Sequence, residues 1–160
     1  MKHALVGAGE YLPKMEPVDR ALIEKLGKPA KVVCIPAGAG TEGPSRISYW
    51  NDMGVKHFTN LGVEVKAVEV INKDTADDPM LAEQVAEANF VYFSGGKPGY
   101  LHDTLKDSLT WSAVMQVLEN GGIVAGCSAG AMIQGSKMMG GVSLSDGFGL
   151  LPNSVILPHF

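Results

Sequence analysis

The segment at residues 126–130, Gly-Cys-Ser-Ala-Gly, has the spacing of a serine nucleophile held on a sharp turn. An apolar run of strand length, residues 123–125, precedes it, and a predicted helix, residues 129–134, follows it. In such a strand-turn-helix the serine is exposed, and glycines flank it because side chains there would clash. The pattern therefore favours Ser128 as a nucleophile over a surface serine in a glycine-rich turn.

A serine nucleophile needs a base, and the four histidines are the candidates. His159 is the best placed, because it follows an apolar run at residues 154–157 and so lies at the carboxyl end of a predicted strand. His3 lies at the amino end of the first predicted strand, His57 lies in a helical stretch where we expect a surface position, and His102 lies on a helix.

The base needs an orienting acid, and Asp146 is the only carboxylate between Ser128 and His159. The order Ser–Asp–His is the order of α/β hydrolases. Asp146 is therefore the predicted acid of a triad, with a plain turn residue before Gly147 as the alternative.

A second glycine-rich segment, Ser-Gly-Gly-Lys-Pro at residues 94–98, ends another predicted strand. Two adjacent glycines can direct a backbone N–H into a site, because they allow close backbone approach. We predict an oxyanion hole formed by the N–H groups of Ala129 and Gly96, with an ordinary turn as the alternative at residues 94–98. Cys127 precedes the apex of the elbow, so we interpret it as a buried structural thiol.

Strand-like and helix-like segments alternate along the chain, which predicts a doubly wound, mostly parallel α/β sheet. Several strand candidates are apolar on both faces, which indicates that helices cover both sides of the sheet. Residues 135–149 are rich in Gly, Ser and Met and are predicted as a loop with at most a short strand. The predicted strands are residues 3–6, 31–35, 63–68, 90–93, 123–125 and 154–157.

Composition restricts the class of protein. The 160 residues, 46% of them hydrophobic and 19% charged, fit one domain over residues 1–160. The net charge is −4, and the sequence lacks the clusters of basic residues that are typical of nucleic-acid-binding proteins. No apolar run approaches the ~20 residues that cross a bilayer. The two cysteines give no disulfide framework, and no Cys/His cluster has metal-ligand spacing. We expect a reduced, cytoplasmic protein that uses no cofactor or metal and binds neither nucleic acid nor membrane.

With these motifs in view, the chain resembles the S51 serine peptidases, which include dipeptidase E and cyanophycinase. The resemblance rests on residues 92–101 with the double glycine, on residues 122–131 with the elbow, and on Phe-Gly-Leu-Leu-Pro at 148–152 leading to Pro-His-Phe at 158–160. It implies the three-layer fold of the class I glutamine amidotransferases, with Ser128 as nucleophile and His159 as base.

The sequence departs from that family in two ways. The stretch from Ser128 to Asp146, which holds the acid of the family triad, looks shorter than in dipeptidase E, so Asp146 is a substitute or the acid is missing. Family members also continue past the His-Phe pair, which suggests a fragment or a minimal or inactive relative that lacks the C-terminal portion. We expect either a subunit contact, such as a homodimer, over the bare edge of the last strand, or a mobile His159 with weak activity.

The resemblance implies a serine peptidase of small peptides, with an N-terminal Asp or an isoaspartyl link as the candidate substrate feature. Recognition of an acidic substrate needs a cation, and Lys97 and Arg46 are the candidates at the predicted rim. Two alternatives stay open: a non-catalytic amidotransferase-like binding protein, and a thiol enzyme that uses Cys127.

Overall fold

The computed structural model describes residues 1–140 and 142–159. Eight strands occur in this part of the chain: β1 (Lys2–Val6), β2 (Lys31–Ile35), β3 (Glu64–Ala67), β4 (Phe90–Phe93), β5 (Ile123–Cys127), β6 (Gly135–Gly140), β7 (Ser143–Asp146) and β8 (Leu151–Val155). The α-helices in the same residues are α1 (Glu16–Leu26), α2 (Pro44–Asn60), α3 (Lys73–Ala76), α4 (Pro79–Ala86), α5 (Pro98–Leu105), α6 (Leu109–Glu119) and α7 (Ala129–Met132).

The first five strands form one parallel sheet in the order β1-β5-β4-β2-β3. Alternate side chains of the central strands enter two separate apolar clusters, as the period of a strand requires. Val91 and Phe93 pack with the helices α4 to α7, whereas Phe90 and Tyr92 pack with α1 and α2. Because helices cover both faces, the predicted three-layer, mostly parallel α/β fold is confirmed.

A local capping signal marks the start of α4. The Asp78 side chain accepts hydrogen bonds from the N–H groups of Met80 and Leu81, at 2.8 and 3.3 Å, and Pro79 is the first helical residue of α4. A cap of this kind supplies acceptors to backbone donors that the first helical turn leaves free. No helix in residues 1–140 and 142–159 is long and apolar enough to cross a bilayer.

The last quarter of the chain differs from the sequence prediction. Residues 135–149, predicted as a loop, contain β6 and β7, which pair antiparallel. The strand predicted at 154–157 is instead β8, which pairs parallel with β6 and not with the main sheet. The sequence does not predict a strand over residues 151–155, because Pro152 and Asn153 are poor strand formers. The result is a separate three-stranded sheet in the order β7-β6-β8.

The predicted surface position of His57 is also wrong. His57 is 5% exposed, and its Nε2 lies 2.7 Å from Oδ2 of Asp19, which is fully buried on α1. A buried polar side chain must find a hydrogen-bond partner, and this partner lies 38 residues earlier in the chain. The polar surroundings of His57 within α2 give no sign of that contact.

Candidate active site

Ser128 lies at the turn between β5 and α7, with φ 50° and ψ −108°. A positive φ is strained for a residue with a Cβ atom, and such strain concentrates at functional sites. The predicted clash explains the two flanking glycines. A Cβ atom on Gly126 would overlap the carbonyl oxygen of Gly130, and one on Gly130 would overlap the carbonyl oxygen of Phe93. The elbow is therefore packed tightly against its surroundings and leaves no room for side chains at residues 126 and 130.

His159 contacts Ser128. Its Nε2 lies 2.8 Å from the Ser128 Oγ, within hydrogen-bond distance. The backbone of His159 passes the end of β1, because a Cβ atom on Gly7 would lie 3.6 Å from the His159 nitrogen. His159 itself has φ 66°, so both members of the hydrogen-bonded pair have a left-handed backbone. Among the hydrogen bonds of residues 1–140 and 142–159, none joins Ser128 to His3, His57 or His102. Phe160, the second residue of the His-Phe pair, lies outside the described residues.

The predicted hydrogen bond between Asp146 and His159 is not formed by the residues that the structure describes. Asp146 lies on the exposed strand β7, and its Oδ1 accepts a hydrogen bond from Lys137 Nζ at 2.5 Å. The Lys137 ammonium group lowers the pKa of this carboxyl group. Pairing of β6 with β7 places these two side chains directly opposite each other. The Asp146 carboxylate therefore binds Lys137, and not His159 as the order of residues along the chain predicted.

The two predicted oxyanion donors lie on adjacent segments. Ala129 is the first residue of α7, and Gly96 follows β4 with φ 137°. Neither backbone N–H donates a hydrogen bond to any residue in the described ranges. The turn also lies beside the nucleophile, because a Cβ atom on Gly95 would be 3.5 Å from Cβ of Ser128. Both N–H groups therefore lack a protein acceptor within the described residues.

Glu10 is a site residue that the sequence analysis missed. It follows β1, is 7% exposed, and accepts a hydrogen bond from the Gly95 N–H at 2.8 Å through Oε1. Its Oε2 lies 2.9 Å from Sγ of Cys127. Both partners are more than 80 residues away along the chain, so no local pattern marks this carboxylate. Only its place at the carboxyl end of a predicted strand gave a hint.

Cys127 is fully buried, as predicted. Burial, together with the nearby Glu10 carboxylate, raises the pKa of the Cys127 thiol to about 12. The thiolate is the nucleophilic form of cysteine, so a thiol with this pKa is inert near neutral pH. The chemistry of the site therefore favours the Ser128 hydroxyl over the Cys127 thiol.

The two rim cations both have protein partners. Lys97 Nζ donates a hydrogen bond to Thr41 Oγ1 at 2.9 Å. Arg46 lies 3.4 Å from a Glu42 carboxylate oxygen, and its guanidinium stacks over the rings of Tyr49 and Trp50. Both cationic groups therefore already have a partner within the protein. Within the described ranges, no group of three or more His, Cys, Asp or Glu side chains is arranged to hold a metal ion.

Comparisons with known proteins agree with this architecture. The family model of peptidase family S51 matches residues 4–160. A crystal structure of a peptidase from an acI-B1 Actinobacterium has a TM-score of 0.91 and 37% identity, covering 99% of this chain and 68% of that one. A putative Peptidase E protein from Listeria monocytogenes EGD-e has a TM-score of 0.65 and 21% identity, covering 86% and 63%, which is a likeness of fold. No curated protein matches the chain.

Proposed function

The chain belongs to peptidase family S51, and on that premise we propose that it is a serine peptidase of small peptides, with an N-terminal Asp or an isoaspartyl link as the candidate substrate feature. The observation that carries the proposal is the 2.8 Å contact between Ser128 Oγ and His159 Nε2 at a strained turn. A serine hydroxyl is a weak nucleophile until an adjacent base accepts its proton.

In the proposed mechanism His159 Nε2 takes the hydroxyl proton while Ser128 Oγ attacks the carbonyl carbon of the substrate. The carbon–oxygen π electrons move onto the carbonyl oxygen, giving a tetrahedral oxyanion. When that intermediate collapses, the carbon–nitrogen bond breaks, and the leaving amine takes the proton from His159. Water then attacks the acyl-serine, His159 accepts its proton, and the same proton returns to Ser128 Oγ as the acid product leaves.

The oxyanion is held by the N–H groups of Gly96 and Ala129. Donors that are already directed at the position of the developing charge contribute about 10²–10³-fold each to kcat in serine enzymes. The free state of both N–H groups within the described residues supports this assignment. The helix that begins at Ala129 is short, so its support for the oxyanion comes from the individual N–H groups.

The test measures hydrolysis of Asp–Leu, isoaspartyl-Leu and Leu–Leu by the wild-type chain, by Ser128→Ala and by Ser145→Ala. Ser145 is an exposed serine on β7 and is the matched control. We expect Ser128→Ala to lower kcat about 10⁴-fold or more, and Ser145→Ala to match the wild type. A fluorophosphonate should label Ser128 alone, as mapped by mass spectrometry.

The same measurements separate the alternatives. Labelling of Cys127 by iodoacetamide with loss of activity would favour a thiol enzyme. A chain that neither reacts with fluorophosphonate nor cleaves any dipeptide would favour a non-catalytic binding protein. Equal rates on Leu–Leu and Asp–Leu would leave the serine peptidase in place and remove the acidic substrate.

A further inference from the structure

The proposed mechanism leaves one buried carboxylate beside the site without a role. Glu10 accepts one hydrogen bond from the Gly95 N–H and one from the Cys127 thiol, at 2.8 and 2.9 Å. These partners belong to the two segments that carry the proposed oxyanion donors, Gly96 and Ala129. We propose that Glu10 is a positioning residue that holds these two segments in register, an inference that rests on the proposed function.

The fold brings Glu10 to this position through β1. Val6, the last residue of β1, is in register with Cys127, and its carbonyl accepts the Ser128 N–H at 2.9 Å. The loop that leaves β1 therefore starts at the level of the elbow. A Cβ atom on Gly95 would lie 3.0 Å from Glu10 Oε1, so the glycine leaves just enough space for the carboxylate. Three strand ends thus meet at one buried side chain.

The hydrogen bonds of Glu10 determine which donors remain free. Because the Gly95 N–H is bonded to Glu10, the next N–H of the turn, that of Gly96, is the one available to substrate. Fixing the Gly95 peptide restricts the rotation that would turn the Gly96 N–H away. At the other end, the bond to Cys127 anchors the residue just before Ser128. Oxyanion donors accelerate a reaction only if they are held in place beforehand.

This proposal can be separated from a purely electrostatic effect of the charge. A carboxylate near an oxyanion repels it, so removal of the charge alone would raise kcat. A positioning role predicts the opposite direction. Glutamine keeps one acceptor oxygen and replaces the other by an N–H₂ donor, so it retains one of the two hydrogen bonds, while alanine retains neither.

The experiment measures kcat and KM for Asp–Leu, and the rate of fluorophosphonate reaction at Ser128, in Glu10→Gln and Glu10→Ala. We expect kcat and the phosphonylation rate to fall about tenfold in Glu10→Gln and about 10²-fold in Glu10→Ala, with KM within about threefold of wild type. The control is Asp19→Asn, which alters another buried carboxylate, on α1 and bonded to His57. It should lower stability and leave kcat within about twofold.

A folded Glu10→Ala with wild-type kcat, a rise of kcat in Glu10→Gln, or a change in KM alone would overturn the proposal. If Glu10→Ala does not fold, the Cys127 pair decides, because serine keeps a donor to Glu10 and alanine does not. Cys127→Ser should then retain most of the activity and Cys127→Ala should lose about tenfold, and equal rates for the two would overturn the proposal.

Failure of the proposed function gives a different result. If Ser128→Ala keeps full activity, the serine mechanism itself is wrong. If Ser128→Ala is inactive while the Glu10 variants match the wild type, the serine mechanism stands and only the role of Glu10 fails.

Discussion

The two halves of the candidate site are built in different ways. The nucleophile region, which comprises β5, Ser128, α7, Glu10 and the turn at residues 94–97, is anchored in the main sheet, and Cys127 and Ala129 in it are fully buried. The base region, which comprises β6 to β8 and residues 156–159, is largely exposed, and every residue of β7 faces solvent. His159 is exposed and reaches Ser128 through one hydrogen bond.

This difference separates stability from activity. Contacts of a buried segment contribute to the free energy of unfolding, whereas exposed segments with few apolar contacts contribute little to it. Changes in the nucleophile region should therefore reduce stability and activity together. A change at His159, the residue of the base region that contacts Ser128, should reduce activity with little change in stability.

The largest expected effect tests the base region. His159→Gln removes the proposed general base, and we expect kcat to fall about 10²–10⁴-fold. Because the side chain is exposed, the melting temperature should stay within experimental error of the wild type. His3→Gln, a partly buried histidine at the start of β1, is the control and should retain activity. A matching loss of melting temperature in His159→Gln would contradict the distinction between the two regions.

The nucleophile region should respond in the other way. In Gly126→Ala the new Cβ atom would overlap backbone atoms of Gly130, which cannot rotate aside, so we expect a loss of about 3 kcal/mol in the free energy of unfolding and loss of activity. Gly99→Ala is the control, because its Cβ position on α5 has no described heavy atom within 4 Å other than those of its chain neighbours and of its own helix backbone. That variant should be as stable as the wild type or slightly more stable, by up to about 1 kcal/mol. Urea denaturation with parallel kcat measurements checks both variants.

At alkaline pH, stability should depend on ionisable groups in the buried interior. Burial raises the pKa of Cys34 and of Cys127 from 9.0 to about 12. Above pH 9 the unfolded chain releases these two protons while the folded chain retains them, so stability should be complete below about pH 9 and decrease from there to about pH 12. Burial also raises the pKa of Tyr11 and Tyr92, which adds to the loss above about pH 10.

Urea denaturation at pH 8.0, 9.0 and 10.0 measures this dependence. Cys34→Ala, which retains one buried thiol, should show a weaker decrease between pH 8.0 and 10.0 than the wild type. An unchanged slope in that variant would show that the thiols titrate alike in the folded and unfolded chains.

The sequence predicts the nucleophile region far better than the base region. Alternation of apolar strands with helices, and glycines on both sides of Ser128, are local patterns, and the structure has the parallel sheet and the sharp strand-to-helix turn that they predict. The pairing of β8 with β6 leaves no such pattern, because Pro152 and Asn153 interrupt its apolar character. Glu10 and the buried pair of Asp19 and His57 depend on contacts between distant segments, which no local pattern reveals.

The smallest expected effect concerns Asp146, where chain order and geometry disagree. Loss of a carboxylate that orients a catalytic histidine costs about 10⁴-fold in kcat. Asp146 instead forms an exposed ion pair with Lys137, and such pairs contribute little because water and salt screen both charges. We therefore expect Asp146→Asn to lower kcat by less than about tenfold and to behave like Lys137→Met, which removes the other member of the pair.

Because Lys137 lowers the pKa of Asp146, any contribution of the pair is present at neutral pH and is lost as the pH falls below the usual range of a carboxyl group. A loss near 10⁴-fold in Asp146→Asn, with Lys137→Met fully active, would place Asp146 with His159 during catalysis and would show that the base region rearranges when substrate binds.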